Sequence, residues 1–108
     1  MMNPIECPLH LIMEKIAGKW KLIIIYSLNQ SGVIRFSDLH RLIGGVSQKV
    51  LTSQLRELER DGLLIRKVYP EVPPKVEYSL TGKGISLSHA LDSLADWATT
   101  NMVSELES

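Results

Sequence analysis

Two adjacent glycines, Gly44-Gly45, constrain this chain more than any other feature. They divide a run of helical periodicity into two pieces. Before them, Ser37 can cap a helix carrying Leu39, Leu42 and Ile43. The glycine pair ends that helix within about two turns, because glycine accepts the left-handed backbone of a helix terminus. After them, Ser47 caps a second helix that runs to about Asp61, with Val50, Leu51, Gln54, Leu55 and Leu58 as its core face, and Gly62 closes it. A short helix, a tight glycine turn and a longer helix make the helix-turn-helix pattern.

The flanks extend this unit. Ser31-Gly32 is a turn and Val33–Phe36 a short strand. Leu63–Tyr69 and Lys75–Leu80 are β-like, and between them lies the proline-rich loop Pro70-Glu71-Val72-Pro73-Pro74. Two strands around such a loop, directly after a helix-turn-helix, form a β-wing. Upstream, Pro8 suits the first position of a helix. Leu9, Ile12, Met13 and Ile16 follow on one stripe, and Gly18 ends it. Lys19–Gln30 is apolar on all sides (Trp20, Leu22, Ile23, Ile24, Ile25, Tyr26, Leu28) and reads as a buried central helix. The β-branched run Ile23–Ile25 also fits a strand, but twelve uninterrupted residues favour a helix. Thr81 caps a long last helix, Gly82 to about Met102. Its stripe is Leu87, Leu91, Leu94, Ala98 and Met102, with Ile85, Ala95 and Trp97 beside it. The acidic tail Val103–Ser108 is expected to fray. The expected class is α+β, mostly α: a winged helix-turn-helix with extra N- and C-terminal dimerisation helices, in a single domain over residues 1–108.

The net charge is zero, yet it is unevenly spread. Arg35 through Lys83 holds nine Lys/Arg against six Asp/Glu, a balance of +3; the remainder holds three against six, or −3. A basic middle between acidic ends points to a local anion-facing surface. The longest apolar run, Leu22–Tyr26, falls far short of the roughly 18 residues of a membrane span, and Met1–Glu6 lacks the pattern of a signal peptide. The single cysteine, Cys7, excludes an internal disulfide and fits the cytoplasm. No nucleophile motif and no phosphate-binding glycine loop is present, so an enzyme is not expected.

Chemistry concentrates on the second helix of the pair. With Leu51 at 0° on a wheel of 100° per residue, Leu55 and Leu58 fall within about 40° of it. Lys49, Ser53, Arg56 and Arg60 take the opposite side, with Thr52 at the margin. An α-helix fits the DNA major groove, and its N-terminal residues reach the base edges. Gln48, Lys49, Thr52 and Ser53 are therefore candidates for base contacts. Arg56 could serve a base or a phosphate, and Ser47 doubles as cap and phosphate donor. Arg66, Lys67 and Lys75 are wing candidates for phosphate or minor-groove contact. Their faces are not fixed by the imperfect alternation of Leu63–Tyr69. Arg35 and Arg41 are equally compatible with phosphate contact and with plain surface charge. The competing reading is a solvated charged face on a winged helix that binds only protein; fold alone does not decide between them.

Several segments occur in order: Cys7-Pro8, Gly18-Lys19-Trp20, Arg35-Phe36-Ser37-Asp38-Leu39, Val46-Ser47-Gln48-Lys49-Val50-Leu51-Thr52, Gln54-Leu55-Arg56-Glu57-Leu58 and Asp61-Gly62-Leu63. The longest is Tyr69-Pro70-Glu71-Val72-Pro73-Pro74-Lys75-Val76-Glu77-Tyr78-Ser79-Leu80-Thr81. Over roughly residues 7–100 the chain resembles the HxlR-type winged helix-turn-helix regulators, relatives of the MarR family. The resemblance implies a dimeric transcription factor binding an operator in double-stranded DNA. It also implies, for many members, sensing of redox or electrophile stress through the cysteine of the Cys-Pro motif.

The long apolar stripes of the first and last helices fit pairing of two subunits. A two-fold pair would set two recognition helices about 34 Å apart, or a multiple of it, on an inverted repeat. Met13, Leu91, Leu94 and Trp97 are the interface candidates. Cys7, at the start of the first helix, is placed where the positive helix end favours a thiolate, so a small electrophile or thiol adduct there is a candidate signal. The alternative is a small apolar residue without reactivity. With one cysteine per chain, only Cys7–Cys7 pairing across a dimer or an adduct with a small thiol is open. Cys7 and His10 do not supply the four ligands of a structural zinc site, and neither a metal nor another cofactor is expected.

Overall fold

The computed structural model describes residues 7–106, with side chains through residue 102. Five helices and three strands occur in the order α1 (Pro8–Ile16), α2 (Lys21–Ser31), β1 (Ile34–Arg35), α3 (Phe36–Ile43), α4 (Gln48–Arg60), β2 (Leu64–Tyr69), β3 (Lys75–Leu80) and α5 (Gly82–Leu106). The sheet runs β1-β3-β2, all antiparallel. The wing hairpin is in register from Leu64 opposite Leu80 to Tyr69 opposite Lys75. β1 adds Ile34 opposite Tyr78 and Arg35 opposite Glu77. This third strand ties the start of α3 to the wing, a pairing that periodicity did not reveal.

The turn between α3 and α4 needs its glycines. Gly44 and Gly45 have φ of 65° and 67°, a region that residues with a Cβ rarely occupy. Ser47 then caps α4, its Oγ accepting from the Val50 N–H at 3.1 Å. The expected Ser37 cap is corrected: α3 begins one residue earlier, at Phe36, with Arg35 in extended backbone at the N-cap and no side-chain cap. Pairing of Arg35 with Glu77 in the sheet holds the chain extended up to that point.

The core lies where α2, α3, α4 and the base of the wing converge. Ile24, Ile25, Leu28, Leu39, Leu51, Leu55 and Leu58 are almost wholly buried, and Val46, Leu63, Leu64 and Tyr78 complete the cluster. Val50, expected in it, is instead exposed at the solvent edge of α4. α2 is also less enclosed than its composition implied, since Ile23 and Tyr26 remain exposed. On α1, Ile12 and Ile16 pack inward while Leu9 and Met13 face out.

α5 is anchored where it leaves the wing. The Thr81 hydroxyl donates to the Gly62 carbonyl at 2.6 Å and accepts from the Gly84 N–H at 3.0 Å, so it caps the helix and pins it to the end of α4. Gly84 is buried against the Leu63 carbonyl, where a Cβ would collide with backbone. The helix continues past the expected end to Leu106, with a break in helical geometry at Met102. The expected fraying therefore falls partly on helix; residues 107–108 lie outside the described residues.

Candidate nucleic-acid interface

The outer face of α4 carries the side chains expected on it. Gln48, Lys49, Thr52, Ser53 and Arg56 line one open face, joined by Glu57 and Arg60. The core residues Leu51, Leu55 and Leu58 point the other way. Ser47 stands exposed at the N-terminal end of this face. Among the described residues, Lys49 and Arg56 form no ion pair, whereas Arg60 is drawn to Glu57 at 3.8 Å and to Asp61 at 4.0 Å. The positive charge free for an outside partner thus sits in the N-terminal two-thirds of the helix.

A groove opens beside this face, between α4, the start of α3 and the wing. Its lining includes Thr52 and Arg56 of α4, Arg35, Ser37, Arg66 and Tyr78. The strand register explains why Arg66 joins it. Leu64, Arg66 and Val68 share one sheet face with Val76, Tyr78 and Leu80, the face turned towards the helices. Arg66 Nε lies 3.4 Å from Glu59 Oε1, which steadies the guanidinium at the groove. Burial pushes the Tyr78 phenol pKa up, opposed by the neighbouring Arg66 guanidinium, so the hydroxyl holds its proton at neutral pH.

Lys67 and Lys75 do not join this cluster. They share the opposite sheet face with Ile65, Tyr69, Glu77 and Ser79. There the two ammonium groups lie 4.9 Å and 4.7 Å from the centroid of the Tyr69 ring, a cation–π arrangement. Lys75 also approaches Glu77 at 3.9 Å. The wing thus divides its cations, Arg66 inward and the two lysines outward. Arg41, left open by the sequence, is paired with Asp38 at 3.3 Å, while Arg35 reaches the groove. Tyr78 was not singled out, because a tyrosine in a strand reads as core. Its place in the groove depends on strand register.

The remaining candidates lie elsewhere. Cys7 is the half-buried N-cap of α1. His10 is exposed and pairs with Glu14 at 3.2 Å. Leu94 and Trp97 on α5 and Met13 on α1 are exposed, at 56%, 59% and 49%, while Leu91 packs against the core. Between α2 and α5 runs an almost purely apolar groove lined by Leu22, Ile23, Tyr26, Leu91, Leu94, Ala95 and Ala98. No described helix is long and apolar enough to cross a membrane.

A capped recognition helix with a free basic face, preceded by a short helix and followed by a three-stranded wing, defines a transcriptional regulator of helix-turn-helix type, and relatives agree. Residues 15–106 match the model of the HxlR-like helix-turn-helix family, and the chain belongs to that family. An HTH-type transcriptional regulator of Halalkalibacterium halodurans is 50% identical over 96 residues, covering 89% of this chain and 85% of the relative. A crystal structure of a MarR-family transcriptional regulator from Porphyromonas gingivalis W83 superimposes with a TM-score of 0.86 at 41% identity, covering 94% of this chain and 98% of that one. The redox regulator HypR in its reduced form gives a TM-score of 0.82 at 39% identity, covering 92% of this chain and 99% of that one.

Proposed function

We propose that this chain is a cytoplasmic, homodimeric, one-domain regulator that binds an inverted-repeat operator, with α4 in the major groove. The observation that carries the reading is the free basic face of α4 continuous with the Arg66 side of the wing. Gln48, Lys49, Thr52 and Ser53 are assigned to base edges and Ser47 to a phosphate, with Arg56 available to either. Lys67 and Lys75, on the far side of the wing, are assigned to a flanking phosphate or the minor groove. Dimerisation is supported by the apolar side chains that α1 and α5 leave exposed, Met13, Leu94 and Trp97 among them.

The test is retention of sheared genomic DNA by the purified, reduced protein near about 150 mM salt, where nonspecific binding is weak. Enriched fragments sharing an inverted repeat support the reading, and Lys49→Glu with Arg56→Glu abolishes retention. Absence of binding even at low salt refutes it and favours a winged helix that binds protein.

Cys7 is proposed as the sensing position. HypR, a redox regulator by description, supports this, as does the half-buried place of Cys7 at the start of a helix. Oxidation or adduct formation there would shift α1 and release DNA. A Cys7→Ser protein that still loses DNA on treatment with diamide or a quinone removes this part of the proposal.

A further inference from the structure

The groove beside α4 has a floor that base recognition does not use. Arg35, Arg56 and Arg66 reach it from β1, α4 and β2, and among the described residues no carboxylate lines it. Ser37 lies in the first turn of α3, whose N-terminus has no side-chain cap, so backbone N–H groups there have no side-chain acceptor. Tyr78 supplies an independent observation. The residue is only 6% exposed, with its ring 6.4 Å from that of Phe36. Among the described residues its hydroxyl has no hydrogen-bond partner, yet no sealed-off polar atom lacks one. The hydroxyl therefore opens to the groove that Tyr78 lines. Arg56 and Arg66 line the same groove as Tyr78. The Glu59 carboxylate is engaged by Arg66 at 3.4 Å, and Glu77 lies on the opposite sheet face.

We propose that this floor is a seat for a single phosphate oxyanion. Tyr78 donates one hydrogen bond to it, and Arg35, Arg56 and Arg66 supply the charge. Phosphate suits the site because its oxygens accept from several directions at once, and guanidinium forks match them. With respect to its source the inference rests on the DNA reading: the oxyanion is a backbone phosphate of the duplex whose major groove holds α4. Arg56 then serves a phosphate, and base selection falls to Gln48, Lys49, Thr52 and Ser53. Free phosphate is the other source of the same chemistry.

Tyr78→Phe removes the hydroxyl and keeps the ring. Arg35→Gln, at an exposed position, serves as a second variant should the first not fold. With a DNA fragment retained by the unmodified protein, Tyr78→Phe is expected to weaken binding by about 10-fold or more for each subunit engaged, the scale of one hydrogen bond to a charged group. The salt slope should stay unchanged, because no cation is lost. Arg35→Gln should weaken binding and lower the slope of log K against log salt by about 0.9 for each subunit engaged, so by about 1.8 for a dimer. In a second arm, inorganic phosphate is titrated while the Arg Nε–H resonances are followed by NMR. Shifts at Arg35, Arg56 and Arg66 that diminish in Tyr78→Phe are expected.

Weakened DNA binding in both variants supports the backbone phosphate as occupant. A phosphate response lost in Tyr78→Phe, with DNA affinity unchanged, keeps the seat but overturns its DNA source. If the unmodified protein binds no DNA yet shows that response, the DNA reading fails and the seat stands. If Tyr78→Phe is unchanged in both arms while Lys49→Glu still abolishes DNA binding, the seat is refuted and the DNA reading survives.

Discussion

Lys21 is the buried charge of this core, and it offers a sharp test of what holds α4 in place. Its side chain is 7% exposed. Its ammonium donates to the Lys15 carbonyl of α1 at 3.2 Å and to Glu57 Oε1 of α4 at 3.3 Å. Three helices therefore meet at one ammonium. At an effective dielectric of about 20, the Lys21–Glu57 attraction amounts to about 5 kcal/mol. Withdrawing the ammonium from water costs several kcal/mol, so the pair nets close to zero against an apolar replacement. The two single substitutions should then differ in size. Glu57→Ala strands the ammonium with one neutral carbonyl. Breaking a fully buried pair this way costs about 3–5 kcal/mol; the Glu57 side chain is 36% exposed, so water entering from that side reduces the expectation to about 2 kcal/mol. Lys21→Met removes the charge, fills the same space and leaves Glu57 with Gln54 at 3.1 Å and Arg60 at 3.8 Å. It should fall within about 1 kcal/mol of the unmodified protein. The double substitution should be no worse than Glu57→Ala. Urea unfolding at one fixed protein concentration measures all four proteins, because self-association would make stability depend on concentration. A loss in Lys21→Met as large as that in Glu57→Ala would falsify this account of the pair, and so would a neutral Glu57→Ala.

Further expectations concern caps, packing and pH. Ser47→Ala should cost about 1 kcal/mol by removing the acceptor for the Val50 N–H, read as a lowered urea midpoint with an unchanged m-value. Gly84→Ala should cost about 1–3 kcal/mol or prevent folding, since its Cβ meets the Leu63 carbonyl. Gly82→Ala, with open space at its Cβ, should stay within about 1 kcal/mol of the parent; equal losses in the two proteins would refute the packing argument. The Tyr78 phenol has a pKa above 10.0 in the folded chain because burial favours its neutral form. Its contribution to stability is therefore flat below about pH 10 and is lost as pH rises through the folded value. Tyr78→Phe should unfold at higher pH than the parent, and identical alkaline midpoints would count against the burial effect.

Much of this protein was written locally in its sequence. The Gly44-Gly45 turn, the Ser47 and Thr81 caps and the 3.6-residue spacing of Leu51, Leu55 and Leu58 depend on neighbours within a turn or two. They fixed the order of elements and the side of α4 that faces outward. The errors share a cause. Ser37 is a good cap by residue type, but sheet pairing of Arg35 started α3 one residue earlier. Val50 and Tyr26 are apolar, but the described residues leave both exposed.

Contacts between distant residues were decided by the tertiary structure. β1 joins β3 across more than 40 residues, and that pairing brings Arg35 and Tyr78 to one groove with Arg56. A strand of period two sends Arg66 to one face and Lys67 to the other, so a one-residue shift in register would exchange them. Lys21 is buried because Lys15 of α1 and Glu57 of α4, the latter distant in the chain, meet its ammonium. The sequence determined which helix presents its charge outward, because helical periodicity is a local property. Which charges gather around one groove is settled by strand register and helix packing, and these join residues that no local spacing connects.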